Sequence, residues 1–376
     1  MKIALVHDYL TQKGGAERVF ELLCQHFPNA DIFTSLYDPL NTVDLGKGRP
    51  VRTTYLQMIP GASRFFRLLA PFYYHAFRSL DLQAYDLVIS SSTSFAKAVR
   101  TRPDAVHVCF CHNVTRFLWD TQNYLSEYSN FRRMSTPISM GLKLMRRADR
   151  RYAQTPDLYI ANSSTVAERI RKYYGRQALV VNYPIDQRKF IFSAEKDDFC
   201  LVSSRMLSYK KIDVTIAAFN QLGWPLKVVG EGPESGRLRA MAKPNVEFLG
   251  YVPDAQRAQL MARARYVIVS ALEDYGLVPI EANASGTPVI CYGVGGVRDT
   301  QIPGKTGLFF APQTPAALIE ALMAAESLSW DHQAIRDHAL SNFAQTVFFQ
   351  QIDQILAEFA DLRALRSASQ LTHALG

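Results

Sequence analysis

Two glutamates eight residues apart, Glu273 and Glu281, straddle the start of a short predicted helix. Pro279 suits the first turn of that helix, where a missing N–H costs nothing. Gly286 suits its end, where the backbone turns left-handed. Gly276 lies just ahead of it, among amides that have no intrahelical partner and attract anions such as phosphate. A carboxylate repels phosphate but accepts hydrogen bonds from hydroxyls. Anion-binding amides between two hydroxyl acceptors suit a sugar diphosphate; equally, such acids can simply cap a βα turn. Arg205 follows another apolar run, with Lys210 and Lys211 just before the next helical pattern. Cations beside a cleft would stabilise the charge developing on a leaving diphosphate, although lysine pairs are usually solvated. His112 ends the apolar run 106–111, and α/β proteins bind ligands at the C-terminal ends of strands; a lone histidine is otherwise structural. Gly14 and Gly15 separate the first apolar run from a helical pattern through Val19, Leu22, Leu23 and Phe27. Glycines let a ligand approach the backbone, though any tight βα turn can use a pair.

The elements that must position these residues alternate along the chain. Apolar runs at 2–6, 31–36, 86–92, 106–113 and 157–161 are followed by 199–203, 226–229, 246–252, 266–270, 289–292 and 307–310, with helical patterns between many of them. Alternation of this kind predicts parallel sheets with helices packed on them. Ser163 or Ser164 can cap a helix through residue 170, with Glu168 supporting its first turn. Residues 315–327 and 331–363 read as further helices. The chain has room for two domains, and the polar run 193–198 is the natural linker. The expected division is 1–192, 193–345 and a last helix at 346–376.

Composition narrows the class. No apolar run is long enough to span a bilayer, and the first residues lack the apolar stretch of a signal peptide. The five cysteines are scattered and read as buried thiols in a reducing cytoplasm. Residues 1–190 hold 26 Lys/Arg against 15 Asp/Glu, whereas 191–376 hold 16 against 19. Residues 58–80 are aromatic, basic and free of acids, and residues 131–151 carry seven basic residues and one acid. Each segment fits a helix packed in the domain or one resting on an anionic membrane surface. A solvated helix face, or arginines that hold a lipid-linked diphosphate, remain open.

The two glutamates around a Gly-x-x-Pro turn resemble the donor site of the retaining glycosyltransferases of family 4. Arg205 followed five residues later by Lys210, residues 230–234 as Gly-x-Gly-Pro-Glu, and residues 304–310 resemble that family too; Lys211 stands where many relatives have glycine. Residues 7–10 and 90–120 are similar to its O-antigen and exopolysaccharide mannosyltransferases. The resemblance implies an α/β GT-B fold: two Rossmann-like domains with parallel sheets facing across a cleft, and a C-terminal helix crossing back. It implies catalytic roles for His112 and Glu273 near the transferred sugar. It places Glu281 on the nucleotide ribose, Tyr251 near the base, and Gly14, Gly15, Arg205, Lys210, Tyr275, Gly276, Leu277 and Val278 around the donor. No cofactor or metal is expected, since no Asp-x-Asp motif is present. The donor implied is a nucleotide sugar, GDP-mannose, and the acceptor a lipid-linked saccharide of bacterial surface polysaccharide, lipopolysaccharide included. The protein would then be cytoplasmic, peripheral on the inner face of the bacterial membrane.

Two alternatives stand beside this. A sugar-nucleotide 2-epimerase shares the GT-B fold but uses no acceptor. A basic binding module for nucleic acid or lipid would, for nucleic acid, need a stacking platform or groove-reading helix; none is evident, and no nucleic-acid partner is expected.

Overall fold

The computed structural model of the protein describes residues 1–46, 48–121 and 136–374. The chain divides into two compact units, Met1–Val181 with Phe349–Gly376, and Asn182–Phe348. In the first, the strands β1 (Ile3–His7), β2 (Asp31–Thr34), β3 (Val51–Thr53), β4 (Leu87–Ser92), β5 (Val106–Cys111), β6 (Leu158–Ala161) and β7 (Leu179–Val180) alternate with α1 (Gly15–His26), α2 (Tyr73–Arg78), α3 (Arg116–Trp119), α4 (Thr136–Tyr152) and α5 (Ser164–Tyr174). The second holds β8 (Cys200–Ser203), α6 (Ile212–Leu222), β9 (Leu226–Val229), α7 (Ser235–Met241), β10 (Val246–Gly250), α8 (Asp254–Arg263), β11 (Tyr266–Val269), α9 (Leu277–Ala284), β12 (Val289–Tyr292), β13 (Gly307–Phe310), α10 (Pro315–Glu326) and α11 (His332–Phe343). A last helix, α12 (Gln345–Ala374), groups with the first unit from Phe349 onward, where Phe349 stacks on His26 and Asp353 pairs with that imidazole at 2.7 Å.

Both sheets are wholly parallel among the described residues, as the apolar strands require: Ala4, Leu5 and Val6 are fully buried on both faces of β1. The strand orders are β3-β2-β1-β4-β5-β6-β7 and β10-β9-β8-β11-β12-β13. Each order reverses direction once, at β1/β4 and at β8/β11. Crossovers on the two sides of such a point leave in opposite directions, so a crevice opens at the strand ends. Local signals are honoured. Ser163, of the two serines, caps α5 by accepting from the Val166 amide at 3.2 Å, while Glu168 pairs with Arg171 instead. Gly286 follows α9 with φ 75°. The polar run 193–198, expected as a linker, lies inside the second unit, where Lys196 Nζ donates to the Ala262 carbonyl and Thr287 Oγ1, each at 2.8 Å. All five cysteines are free and buried.

The aromatic segment at 58–80 is not one helix. It forms a 3-10 turn at Phe66–Phe72 that leads into the six-residue α2. Tyr73, Tyr74, Ala76 and Phe77 enter the core, whereas Phe65, Leu68 and Phe72 stay exposed. The segment therefore divides its apolar residues between interior and surface. In the basic segment, Phe131, Arg132 and Arg133 lie outside the described residues.

One buried ion pair fixes α4. Asp149, its only acid, is fully buried and meets Lys97 Nζ at 2.7 Å. It also accepts from the Tyr74 hydroxyl and Trp119 Nε1 at 2.6 Å each, and from Thr115 Oγ1 at 3.0 Å. Four donors from three segments thus converge on one carboxylate. Removing one partner of a buried pair leaves the other charge uncompensated. Asp149→Ala should therefore lower stability by about 3–5 kcal/mol in urea unfolding; a loss within experimental error would show that the pair is not an anchor.

His107 on β5 adds an acid-sensitive element. Its Nε2 lies 2.8 Å from Ser90 Oγ, and complete burial pushes its pKa from 6.5 down to about 3. The folded state holds this ring neutral while the unfolded chain protonates it near 6.5. Its contribution is therefore complete above that value and is lost as pH falls toward 3. The thermal midpoint should fall over this window, and more shallowly in His107→Gln; equal pH profiles would remove the assignment.

Candidate functional site

The first reversal point carries His7, Asp8, Ser91 and His112. His7 and Ser91 are register partners on adjacent strands, so they share a sheet face. His112 follows β5 two residues beyond Phe110, the register partner of Ser91. The pleat therefore turns all three toward one side. His7 Nδ1 lies 2.9 Å from Ser91 Oγ, and the same oxygen lies 2.7 Å from His112 Nε2. Burial, reinforced by the His7 charge, pushes His112 down to about 3, so the ring is neutral at ordinary pH. Glu17 reaches this group from α1, its Oε1 3.7 Å from His7 Nε2 and bonded to Gln12 Nε2 at 2.9 Å. Burial alone would raise the Glu17 pKa, but hydrogen bonding and charge from His7, with Gln12, hold it below the ordinary value.

Gly14, Gly15 and Asp8 have structural tasks here. Gly14 leaves room for an internal group: a Cβ there would stand 2.5 Å from Glu17 Oε2. Gly15 is the first residue of α1. Asp8, next to His7, turns inward and accepts from the amides of Thr93, Ser94, Phe95 and Ala96 and from Thr93 Oγ1, at 2.5–2.8 Å. It holds the turn after β4.

At the second reversal point, β8 delivers Arg205 and β11 delivers Glu273. Lys210 Nζ donates to Glu273 Oε1 at 2.6 Å, and both side chains are largely covered. Burial disfavours the Lys210 cation, but the Glu273 carboxylate overrides this and holds its pKa above the ordinary value; the Arg205 charge opposes it from nearby. Arg205 is exposed, and among the described residues no carboxylate pairs with it. Lys211 adopts φ 53°, a conformation that glycine takes more easily, in agreement with the glycine of the resembling family.

The loop bearing Glu273 is held by backbone. Its carbonyl accepts from the Gly296 amide at 2.8 Å, and a Cβ on Gly295, at φ 94°, would stand 2.3 Å from that carbonyl oxygen. The glycine turn at 293–296 therefore exists to close on this loop. α9 begins at Leu277 with Gly276 as its N-cap and no side-chain cap, so its first amides, through Val278, are not satisfied by a side chain. Glu281 lies one turn on, buried, with Arg257 Nη1 on its Oε2 at 2.7 Å. Burial opposes the Arg257 cation and Glu281 more than offsets it, raising its pKa. Arg257 escapes sequence reading because its partner is 24 residues away and on another helix.

Tyr275, expected among the donor contacts, commits its side chain to the fold. It is buried, its hydroxyl donates to the Tyr183 carbonyl at 2.8 Å, and the two rings meet edge to face at 5.0 Å. Only its backbone remains for a ligand. Tyr251 follows β10 and is 77% exposed. The structure thus brings Arg205, Lys210, Glu273 and the start of α9 together in the second unit, and sets His112 with His7, Ser91 and Glu17 in the first.

Two family profiles cover most of the chain: Glycosyltransferase Family 4 matches residues 13–187, and Glycosyl transferases group 1 matches residues 185–345. Glycogen synthase of Mycobacterium tuberculosis is 28% identical over 184 residues, which is 44% of each chain. The D-rhamnosyltransferase WbpZ of Pseudomonas aeruginosa is 26% identical over 211 residues, 51% of this chain and 54% of WbpZ. The chain matches about half the length of these curated relatives. Anabaena HepE, solved in complex with UDP and glucose, superposes with a TM-score of 0.66 at 19% identity, covering 95% of this chain and 99% of HepE; this is a likeness of fold. With a parallel sheet in each unit, the protein has the GT-B fold, built from a glycosyltransferase family 4 domain followed by a glycosyl transferases group 1 domain.

Proposed function

We propose that the protein is a retaining glycosyltransferase that moves mannose from GDP-mannose to a hydroxyl of a lipid-linked saccharide in bacterial surface polysaccharide synthesis. The observation that carries this reading is the grouping of Arg205 and Lys210 beside Glu273 and the uncapped start of α9. In it, the donor diphosphate meets Arg205, Lys210 and the amides of Gly276, Leu277 and Val278, while Glu281 accepts from the ribose hydroxyls and the base lies near Tyr251. As the bond from the sugar's C1 to the phosphate oxygen breaks, negative charge grows on the diphosphate, and fixed cations and amides stabilise it where it forms. The acceptor hydroxyl attacks C1 from the same face, and its proton passes to the leaving phosphate oxygen. No metal has a role in this scheme. Lys210 is preorganised by Glu273, so its ammonium need not be gathered from solvent when the donor binds.

A thermal-shift panel of GDP, UDP and ADP with their sugars, with chelator present, tests the donor. A ligand that binds only the folded state raises its stability, so GDP or GDP-mannose should raise the midpoint selectively. Selective response to UDP sugars would overturn the mannose assignment and, if a free sugar nucleotide were converted without acceptor, would favour the epimerase. Glu281→Ala should abolish turnover, and normal activity would remove the donor site. His112→Ala should lower kcat more than donor affinity; an unchanged rate would make it structural.

We also propose that the first unit rests on an anionic membrane surface. What supports this is the outer face of α4. With Leu142, Met145, Asp149 and Tyr152 turned inward, Lys143, Arg147, Arg150 and Arg151 are exposed together with Met140 and Leu144. Tyr152 and Asp149 pack on Tyr74, which joins α4 to the segment exposing Phe65, Leu68 and Phe72. Arg146 does not share this face: it bonds the Leu118 carbonyl at 2.6 Å and Thr121 Oγ1 at 3.1 Å. Among the described residues no helix is long and apolar enough to cross a membrane. Each cation near an anionic surface is worth about 1 kcal/mol. Replacing Lys143, Arg147, Arg150 and Arg151 by alanine should weaken binding to anionic liposomes roughly a hundredfold or more; undiminished sedimentation with the vesicles would sink the proposal.

A further inference from the structure

We infer that the cavity between α2 and α4 is a headgroup site, which takes the phosphodiester headgroup of one anionic, hydroxyl-bearing phospholipid. The inference rests on the reading that the first unit meets an anionic membrane, and adds to it a discrete site for a single molecule.

The cavity has a volume of about 470 Å³ and lies between Tyr74, His75, Arg78 and Ser79 on one side and Ala148 and Tyr152 of α4 on the other. That size falls within the roughly 300–1,000 Å³ usual for small-molecule sites. The cavity shares no residue with the clusters at the two strand-reversal points.

The polar groups around it define what it can hold. Arg78 is half-buried, with its guanidinium 5.2 Å from the centroid of the Tyr152 ring. Among the described residues it has no hydrogen-bond or ion-pair partner. A guanidinium laid over a ring keeps its N–H donors in its own plane, in the fork that matches two oxygens of a phosphate. His75 engages the Tyr55 hydroxyl through Nδ1 at 2.9 Å, which leaves Nε2 without a partner among the described residues. Ser79 Oγ donates its single proton to the Ala76 carbonyl at 2.8 Å, so towards a ligand it can only accept. A cation beside a hydroxyl acceptor matches a phosphodiester whose other substituent carries hydroxyls, as a glycerol headgroup does. A zwitterionic headgroup fits poorly, because its ammonium would meet Arg78 and no carboxylate lines the cavity.

The apolar groups point to a lipid rather than a free phosphate ester. The Tyr74 and Tyr152 rings meet at 5.2 Å and form one wall. Pro71, on the same lining, leads directly into Phe72, which is exposed along with Phe65 and Leu68. The cavity thus grades from an unpaired cation to an exposed apolar edge, in the order of a phospholipid's own headgroup and chains. The cations on the outer face of α4 attract any anionic surface alike; this cavity selects one headgroup from it.

Calorimetric titration of the full chain with dihexanoyl phosphatidylglycerol, kept monomeric below its micelle concentration, tests the site without a membrane. Wild type should bind one molecule saturably and should not bind dihexanoyl phosphatidylcholine. Arg78→Gln should weaken binding roughly tenfold or more, as loss of hydrogen bonds to a charged group does. Ala148→Phe, which fills the cavity without changing charge, should abolish it, whereas Lys143→Ala, which removes a cation outside the cavity, should leave it unchanged. No saturable binding, equal binding of phosphatidylcholine, or indifference to both cavity variants would overturn the inference. Equal affinity for sn-glycerol 1-phosphate would also overturn it, by making the cavity a site for soluble phosphate esters. Should the variants fail to fold, the headgroup selectivity of wild type alone decides. Binding of the monomeric lipid without sedimentation on anionic vesicles would sink the membrane reading and leave the cavity standing. Sedimentation without monomer binding would do the reverse.

Discussion

A parallel sheet delivers all its strands to one edge, and the crossovers must return the chain over one face or the other. Where the direction of winding reverses, no connection covers the strand ends, and the side chains there are held by the sheet without being enclosed by a loop. Both candidate-site clusters in this molecule depend on that constraint. β1 and β4 bring His7 and Ser91 into register at one such point, and β8 and β11 bring Arg205 and Glu273 to another. The same topological rule therefore generates a histidine–serine hydrogen-bonded cluster in one unit and a lysine–glutamate pair beside an arginine in the other.

The charged cluster shows how carboxylates are kept usable in partial burial. Glu273 and Glu281 each have a cationic partner, Lys210 and Arg257, at hydrogen-bonding distance. The partner fixes one oxygen, so that the other has a defined direction. In the first unit the logic is reversed: burial keeps His112 uncharged, and orientation comes from hydrogen bonds to neutral groups.

Much of this was legible in the sequence where a local rule governs. Alternating apolar runs announced two parallel sheets, Pro279 and Gly286 marked the two ends of α9, and Glu273 and Glu281 flank its start. Arg205 and Lys210 were placed by residue type and by resemblance, and the structure sets Lys210 against Glu273. What escaped depends on which strands become neighbours. Nothing in residues 7–10 says that Asp8 faces four amides at 93–96, or that His7 meets Ser91. Arg257 reads as one more surface arginine on a helix until α8 and α9 are packed together. The packing of Tyr275 escaped for a related reason: a ring flanked by Tyr183 finds a buried hydrogen bond that no periodicity announces. The aromatic stretch at 58–80 misled by being uniform in composition yet divided in burial.

The inward Asp149 has a consequence for how this surface can change over generations. Because the single acid of α4 is also its anchor, attachment of the helix and the character of its outer face are written in different residues. Lys143, Arg147 and Arg150 form no side-chain ion pair among the described residues, and Arg151 only lies over the Tyr152 ring, so each is free to drift, to be lost or to be joined by others. A lineage could thus retune what the first unit meets, by ones and twos of charge, while the four donors around Asp149 keep the helix in place. Divergence of binding surface would then proceed without a toll on folding.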